Sequence, residues 1–189
     1  MADRFVSRAG EKLEHALTAF GVSPAGKVCA DLGSSKGGFV DCLLARGAKK
    51  VYAVDTAYGE LDWKLRQDPR VVVLERTNAL HVELPEKVEL VTIDTGWTQQ
   101  RLIVPKAIAF LKPGGEIISL LKPHYESTPA ERERGKVKPE FLPQILERVK
   151  SELKAIGVEV LKTETSPLLG EKGKNVEYLL YIKPSTNNE

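Results

Sequence analysis

At 189 residues the chain has room for one domain with a real hydrophobic core. Hydrophobic residues make up 42% and charged residues 29%, which excludes a disordered chain, and no apolar run approaches the roughly 20 residues of a membrane helix. The net charge of +2 neither demands nor forbids a nucleic-acid partner, and the charged stretch Met1–Arg8 is unlike a signal peptide, so a cytoplasmic protein is expected.

The first predicted element is a helix over Ser7–Phe20, with Leu13, Ala16, Leu17 and Phe20 on one face and Ser7 as its N-cap. Short β-branched runs then alternate with helical stretches. Lys27–Leu32 is followed by glycines and a helix over Phe39–Arg46, and Lys50–Asp55 by a helix over Gly59–Gln67. Arg70–Leu74, Val88–Asp94, a helix over Arg101–Leu111, a turn at Lys112–Gly115 and the strand Glu116–Leu121 continue the pattern. Lys122–Pro139 is polar and rich in Pro and Gly, hence a long loop. A helix over Glu140–Ile156 carries the stripe Phe141, Ile145, Leu146, Val149 and Leu153, with Gly157 at its C′ position. The last two strands, Val158–Thr163 and Val176–Ile182, are joined without room for a crossover helix and so form an antiparallel pair. The expected fold class is α/β, a Rossmann-like doubly wound sheet of seven strands, mostly parallel with the last antiparallel, helices on both faces and one extra N-terminal helix. A single domain over 1–189 is expected, with a helical extension at 1–22 and an α/β core at 27–183.

Cys29 and Cys42 fall in buried elements and read as free thiols, and His15, His81 and His124 have no ligand spacing, so no metal is expected. Basic residues gather at Arg4, Arg8 and Lys12, at Arg132, Arg134, Lys136 and Lys138, and at Lys172 and Lys174. Charge alone leaves two readings open, solvated loops or an RNA-binding footprint.

Ala30–Phe39 joins the first strand to its helix at the place where open α/β sheets bind ligands. A dinucleotide site wants Gly-x-Gly-x-x-Gly. Here the spacing is Gly33-x-x-x-Gly37-Gly38, and Asp31 stands ahead of it. A carboxylate there repels a pyrophosphate but suits the ammonium and sulfonium of S-adenosylmethionine. Gly33, Gly37 and Gly38 let the backbone approach a ligand, with Ser34, Ser35 and Phe39 completing the loop. Asp55, followed by Thr56, ends the second strand as an acceptor for ribose hydroxyls. Asn78 reads either as a contact to the adenine edge or as a turn former. Asp94 and Lys122 end neighbouring strands, which lie roughly 4.8 Å apart, so the two side chains should meet beside the ligand, as a structural ion pair or as a base and its partner.

In order along the chain, Val6-Ser-Arg-Ala-Gly-Glu-Lys-Leu13, Asp31-Leu-Gly-Ser-Ser-Lys-Gly-Gly-Phe39, Val54-Asp-Thr-Ala-Tyr-Gly-Glu-Leu61, Asp68-Pro-Arg-Val71, Glu75-Arg-Thr-Asn78, Leu121-Lys-Pro-His-Tyr-Glu126 and Asn175-Val-Glu-Tyr178 resemble the FtsJ/RrmJ-type RNA ribose 2′-O-methyltransferases, and among them the TlyA-like branch, often labelled haemolysins. The resemblance implies methyl transfer from S-adenosylmethionine to ribosomal RNA. It also implies a catalytic tetrad of Lys12, Asp94, Lys122 and Glu177, with Asp94 bordering the cofactor as well. TlyA-like proteins usually begin with an S4-type RNA-binding domain, which is not in this sequence, either because the sequence is a shortened form or because the protein lacks it. Asp94-Thr-Gly-Trp-Thr98 stands where the branch has a Ser-Phe-Ile-Ser-type segment, so Trp97 is expected to stack on a flipped base, to cover the cofactor or simply to pack.

A lysine with an ordinary pKa of about 10.4 is mostly protonated at neutral pH. Lys122 as a base therefore needs burial, Lys12 and the sulfonium to depress it. Otherwise it stabilises the oxyanion. Two further readings stand beside this one: a methyltransferase for a small molecule or protein, and a non-catalytic RNA-binding module of the same fold.

Overall fold

A computed structural model describes residues 4–171 and 173–185, and its strands follow the apolar runs. They are β1 (Val28–Leu32), β2 (Lys50–Val54), β3 (Val71–Leu74), β4 (Val88–Ile93), β5 (Leu111–Leu121), a short hairpin of β6 (Arg132–Glu133) and β7 (Lys136–Val137), β8 (Val158–Thr165) and β9 (Tyr178–Pro184). The helices are α1 (Ala9–Phe20), α2 (Gly38–Ala45), α3 (Trp63–Arg66), α4 (Gln100–Phe110), α5 (Pro123–Glu126) and α6 (Leu142–Ala155).

Seven strands form one sheet in the order β3-β2-β1-β4-β5-β9-β8. Only β9 runs against the rest, inserted between β5 and β8. The chain leaves β1 toward β2 on one side and returns as β4 on the other, which opens a crevice at the carboxyl ends of β1 and β4.

All five residues of β1 are buried, as expected for a strand covered on both faces. Successive side chains point to opposite faces. Cys29, Val51, Ala53 and Leu120 pack with Leu13, Leu17 and Phe20 of α1 and Phe39 and Leu43 of α2. Ala30, Leu32, Val91 and Ile117 pack with Ile103 and Val104 of α4 and Val149 and Leu153 of α6. The extra N-terminal helix is therefore one wall of a core. It ends at Gly21 (φ 71°), where Val22 N–H donates to Leu17 O.

Four expectations are corrected. Ser7 is not the N-cap: the helix starts after Arg8 without a side-chain cap, and Ser7 Oγ packs on Gly38 instead. The helix expected over Gly59–Gln67 shrinks to the single turn α3, because the Asp62 side chain caps Lys64 N–H and Asp68-Pro69 stops the turn. Lys112–Gly115 stays within β5, where the ladder with β4 jumps from Val88–Leu111 to Leu90–Glu116, an irregularity rather than a turn between elements. The long loop is ordered, with α5, the β6–β7 hairpin and 3-10 turns at Pro129–Glu131 and Pro139–Phe141. Its anchor is Glu131, which accepts from Thr128 N–H at 2.6 Å and from Arg148 at 2.9 and 3.1 Å, and the guanidinium holds this carboxyl down at about 2.

The start of α1 lies this close to α2 because Gly38 lacks a side chain. A Cβ on Gly38 would lie 2.2 Å from Ser7 Oγ and 2.8 Å from the backbone nitrogen of Gly10. Gly38→Ala should therefore lower stability by about 1–3 kcal/mol in denaturant unfolding. An unchanged midpoint would contradict this packing.

Candidate active site

A cleft of about 620 Å³ opens at the carboxyl ends of the strands, within the range of ligand sites, roughly 300–1,000 Å³. Its floor is the loop from β1 to α2. Gly33 and Ser34 donate their N–H groups to Val54 O at 2.9 and 3.1 Å, tying the loop to the end of β2. Gly33 (φ 90°) and Gly37 (φ 94°) need the left-handed region, and they also make close packing possible. A Cβ on Gly33 would sit 2.6 Å from Asp94 O, and one on Gly37 would sit 2.3 Å from Leu65. Together with Gly38 against α1, the glycines bring chain against chain; Gly33 lines the cleft, whereas Gly37 and Gly38 lie behind its wall.

The carboxylate of Asp55 is also committed to the backbone: Oδ2 accepts from Ser35 N–H and Oδ1 from Ala57 N–H, both at 2.7 Å. Asp55 lines the cleft with its remaining lone pairs, and Ser34, Ser35, Phe39, Thr56 and Asn78 line it too. Phe39 is at the same time a fully buried core residue. The Asn78 Oδ1 accepts from Leu80 N–H at 2.9 Å, the turn-forming role, leaving only its amide nitrogen for a ligand.

The four side chains of the expected tetrad all line this cleft. Lys12 Nζ donates to Glu177 Oε2 at 2.5 Å, and both residues are buried. Lys122 Nζ lies 2.6 Å from Asp94 Oδ1, an ion pair whose angle falls short of a hydrogen bond. Burial pushes the Lys122 ammonium toward deprotonation, but the charges of Asp94 and Glu177 outweigh it and raise its pKa above the ordinary value. The site thus holds Lys122 as a cation, against the depressed pKa that a base would need.

Asp31 is not on the cleft wall. It is fully buried beneath the loop, where Oδ1 accepts from Thr92 Oγ1 at 2.6 Å and Oδ2 has no partner. Burial, with smaller contributions from the charges of Asp94 and Asp55, pushes its carboxyl up to about 8.

Trp97 is 87% exposed, with φ 58°, its ring centroid 4.9 Å from that of Tyr125, so packing in the core is excluded. Tyr125 in turn lies 4.1 Å from His124, and both line the cleft. Sequence reasoning passed over these two, although Leu-Lys-Pro-His-Tyr-Glu held the signal: Pro123 opens α5, a single turn that presents His124 and Tyr125 beside Lys122. It also missed Gly170, where a Cβ would press on Glu177 Oε1 at 2.7 Å.

Of the basic residues, Arg8 lines the cleft, whereas Arg4 pairs with Glu14 at 2.9 Å. Arg132, Arg134, Lys136 and Lys138 lie on and beside the β6–β7 hairpin, and Lys174 in the turn before β9. Lys172 lies outside the described residues. Among the described residues no cluster of His, Cys, Asp or Glu could hold a metal ion, and no helix is long and apolar enough to cross a membrane.

A mostly parallel seven-stranded sheet with a reversed strand beside β5 and a cleft over the β1–α2 loop is the Rossmann-like methyltransferase fold. Residues 5–183 match the FtsJ-like methyltransferases, and the chain belongs to that family. It is 42% identical over 185 residues to a provisionally assigned rRNA methyltransferase of Bacillus subtilis, YqxC, covering 95% of this chain and 66% of that protein. It is 38% identical over 189 residues to a Mycobacterium tuberculosis protein named 16S/23S rRNA (cytidine-2′-O)-methyltransferase TlyA, covering 97% of this chain and 70% of the relative. The chain therefore spans about two thirds of the length of these relatives. A solved structure from Streptococcus thermophilus, provisionally described as a hemolysin, superposes with a TM-score of 0.93 at 34% identity, covering 98% of this chain and 69% of that one.

The state of Asp31 can be read from stability. With a carboxyl near 8 when folded and about 3.9 when unfolded, the native state holds the extra proton between those values. Its contribution is complete below about pH 4 and is lost as pH rises through about 8. Asp31→Asn should flatten that part of the pH–stability curve of the free protein, as followed by chemical denaturation. A variant curve parallel to the wild type would contradict a protonated Asp31.

Proposed function

We propose that this chain transfers a methyl group from S-adenosylmethionine to the 2′-hydroxyl of a ribose in ribosomal RNA, as a cytoplasmic enzyme. The observation that carries the reading is the meeting of two lysine–carboxylate pairs, Lys12–Glu177 and Lys122–Asp94, beside the glycine loop. Two relatives whose names specify rRNA methylation support the substrate class.

The residues present fit the cofactor. Asp31 Oδ2 is a buried carboxyl oxygen without a partner, under the loop where an ammonium is expected, and an ammonium bound there would favour its carboxylate form; Asp55 keeps lone pairs toward the cleft for ribose hydroxyls. The neutral amide nitrogen of Asn78 can donate to an adenine edge. Bound there, S-adenosylmethionine would supply a methyl group activated on a sulfonium.

The chain's own contribution is placement and charge. A methyl transfer to oxygen is an in-line displacement, so the hydroxyl has to be held in line with the methyl group at contact distance. Lys122, fixed by Asp94 and kept protonated, stabilises the negative charge that builds on the ribose oxygen as the hydroxyl proton passes to solvent water in the open cleft. Of the two roles the sequence leaves open for Lys122, base or oxyanion stabiliser, the raised pKa supports the second. Glu177 neutralises Lys12 and anchors it at the cleft. Trp97, exposed beside Tyr125, offers a face on which the target base can stack.

Lys122→Ala should reduce transfer of tritiated methyl to ribosomal RNA to background while S-adenosylhomocysteine affinity stays within a few-fold. Turnover retained in this variant would remove Lys122 from the chemistry. Digesting the labelled product to nucleosides should give a 2′-O-methyl nucleoside. Label in protein or metabolite would overturn the substrate assignment, and RNA binding without label would mark a binding module.

A further inference from the structure

Two basic clusters far apart in sequence become one surface in the fold, and a single buried amide joins them. The β6–β7 hairpin turns at Arg134–Gly135, and the segment before β9 turns at Gly173–Lys174. Asn175, only 5% exposed, spans the two: its Oδ1 accepts from Val137 N–H at 3.1 Å, its Nδ2 donates to Gly135 O at 3.3 Å, and its backbone O accepts from Gly170 N–H at 2.9 Å. The joined unit stands at the rim of the cleft. Gly170 and Glu171 line the cleft, β7 packs on α5, and the charge of Arg132 reaches His124.

The residues at these turns are not those that the backbone prefers. Arg134 (φ 49°) and Gly135 (φ 80°) form a two-residue turn with both φ positive, for which Asn-Gly or Asp-Gly is favoured. Lys174 (φ 50°) follows Gly173 (φ 75°), again a bulky residue in the left-handed region. Among the described residues neither Arg134 nor Lys174 has an acidic partner, whereas Lys136 faces Glu133 across the hairpin. Local propensity and ion pairing thus both fail to account for two cations held at strained positions. A ligand does account for them.

We infer that the β6–β7 hairpin and the Gly173–Lys174 turn, latched together by Asn175, form an arm that grips the phosphate backbone of the RNA next to the nucleotide in the cleft. The arm rests on the RNA reading of the site and adds to it a docking element and a positioning residue. Arg134 and Lys174 contact phosphates, and Asn175 touches no RNA but sets the spacing between them. Guanidinium and ammonium groups carried on two joined turns contact phosphates and read no base, so the arm contributes affinity and register rather than sequence choice.

The test uses the full chain and end-labelled bacterial ribosomal RNA, with affinity measured against salt. The double variant R134N/K174N should bind RNA about tenfold more weakly, and its log–log salt slope should fall by roughly 0.7 for each phosphate that the arm no longer neutralises. Its thermal midpoint should hold or rise, because asparagine suits both turns, and its affinity for S-adenosylhomocysteine should not change. Asn175→Ala should weaken RNA binding without removing any charge, and Asn175→Gln, which keeps a neutral amide, should recover part of that affinity. If the wild type binds RNA and R134N/K174N binds with the same affinity and slope, the arm is refuted while the RNA reading stands. If the wild type shows no salt-dependent RNA binding, the RNA reading fails and the arm with it.

Discussion

Two ion pairs hold the functional end of this molecule together. Lys12 and Glu177 join the first helix to the residue that leads into the last strand, 165 positions apart, and both are withdrawn from water. An unpaired charge at such depth costs several kcal/mol, and removing one partner of a buried pair costs about 3–5 kcal/mol. The pair is therefore a fastening between α1 and the start of the last strand. It explains why α1 lies across the sheet and not free of it. The second pair, Lys122–Asp94, links the ends of β4 and β5 and leaves Lys122 charged, because two carboxylates act on one ammonium. The cleft thus sets two ammonium groups against two carboxylates, so that each withdrawn charge has a partner.

The strand ends were legible because burial makes polar residues conspicuous there. Asp94 and Lys122 interrupt apolar runs at the carboxyl edge of the sheet, and neighbouring strands have to bring them together. Lys12 and Glu177 carried no such mark. A lysine on a helix and a glutamate before a strand are ordinary residues, and only the resemblance to FtsJ-type enzymes connected them. The position of Asp31 was hidden for a different reason. Its burial depends on Thr92 from β4 and on the layer of α1 above it, and neither is written near the glycine loop.

The same division holds for the fold. Strands β1, β2 and β4 announce themselves as apolar runs, because helices cover both faces of the sheet. The segment after Lys122 looked like loop since its composition is that of a loop. Its order comes from contacts made at long range, with Arg148 of α6 holding Glu131 and Asn175 holding the hairpin. In the helix expected after Gly59 the error ran the other way. A plausible helical stretch yields to Asp62, whose side chain caps a turn that begins late and ends at a proline. Local pattern predicts what local forces decide, and the rim of the cleft is decided elsewhere.

The most direct test is a crystal structure grown with S-adenosylhomocysteine. The ligand's amino-acid end should lie over the Gly33–Gly37 loop above Asp31, its ribose at Asp55, and its sulfur should face the space between Lys12 and Lys122. A ligand bound away from the loop, or a sulfur turned from both lysines, would contradict the assignment of this site.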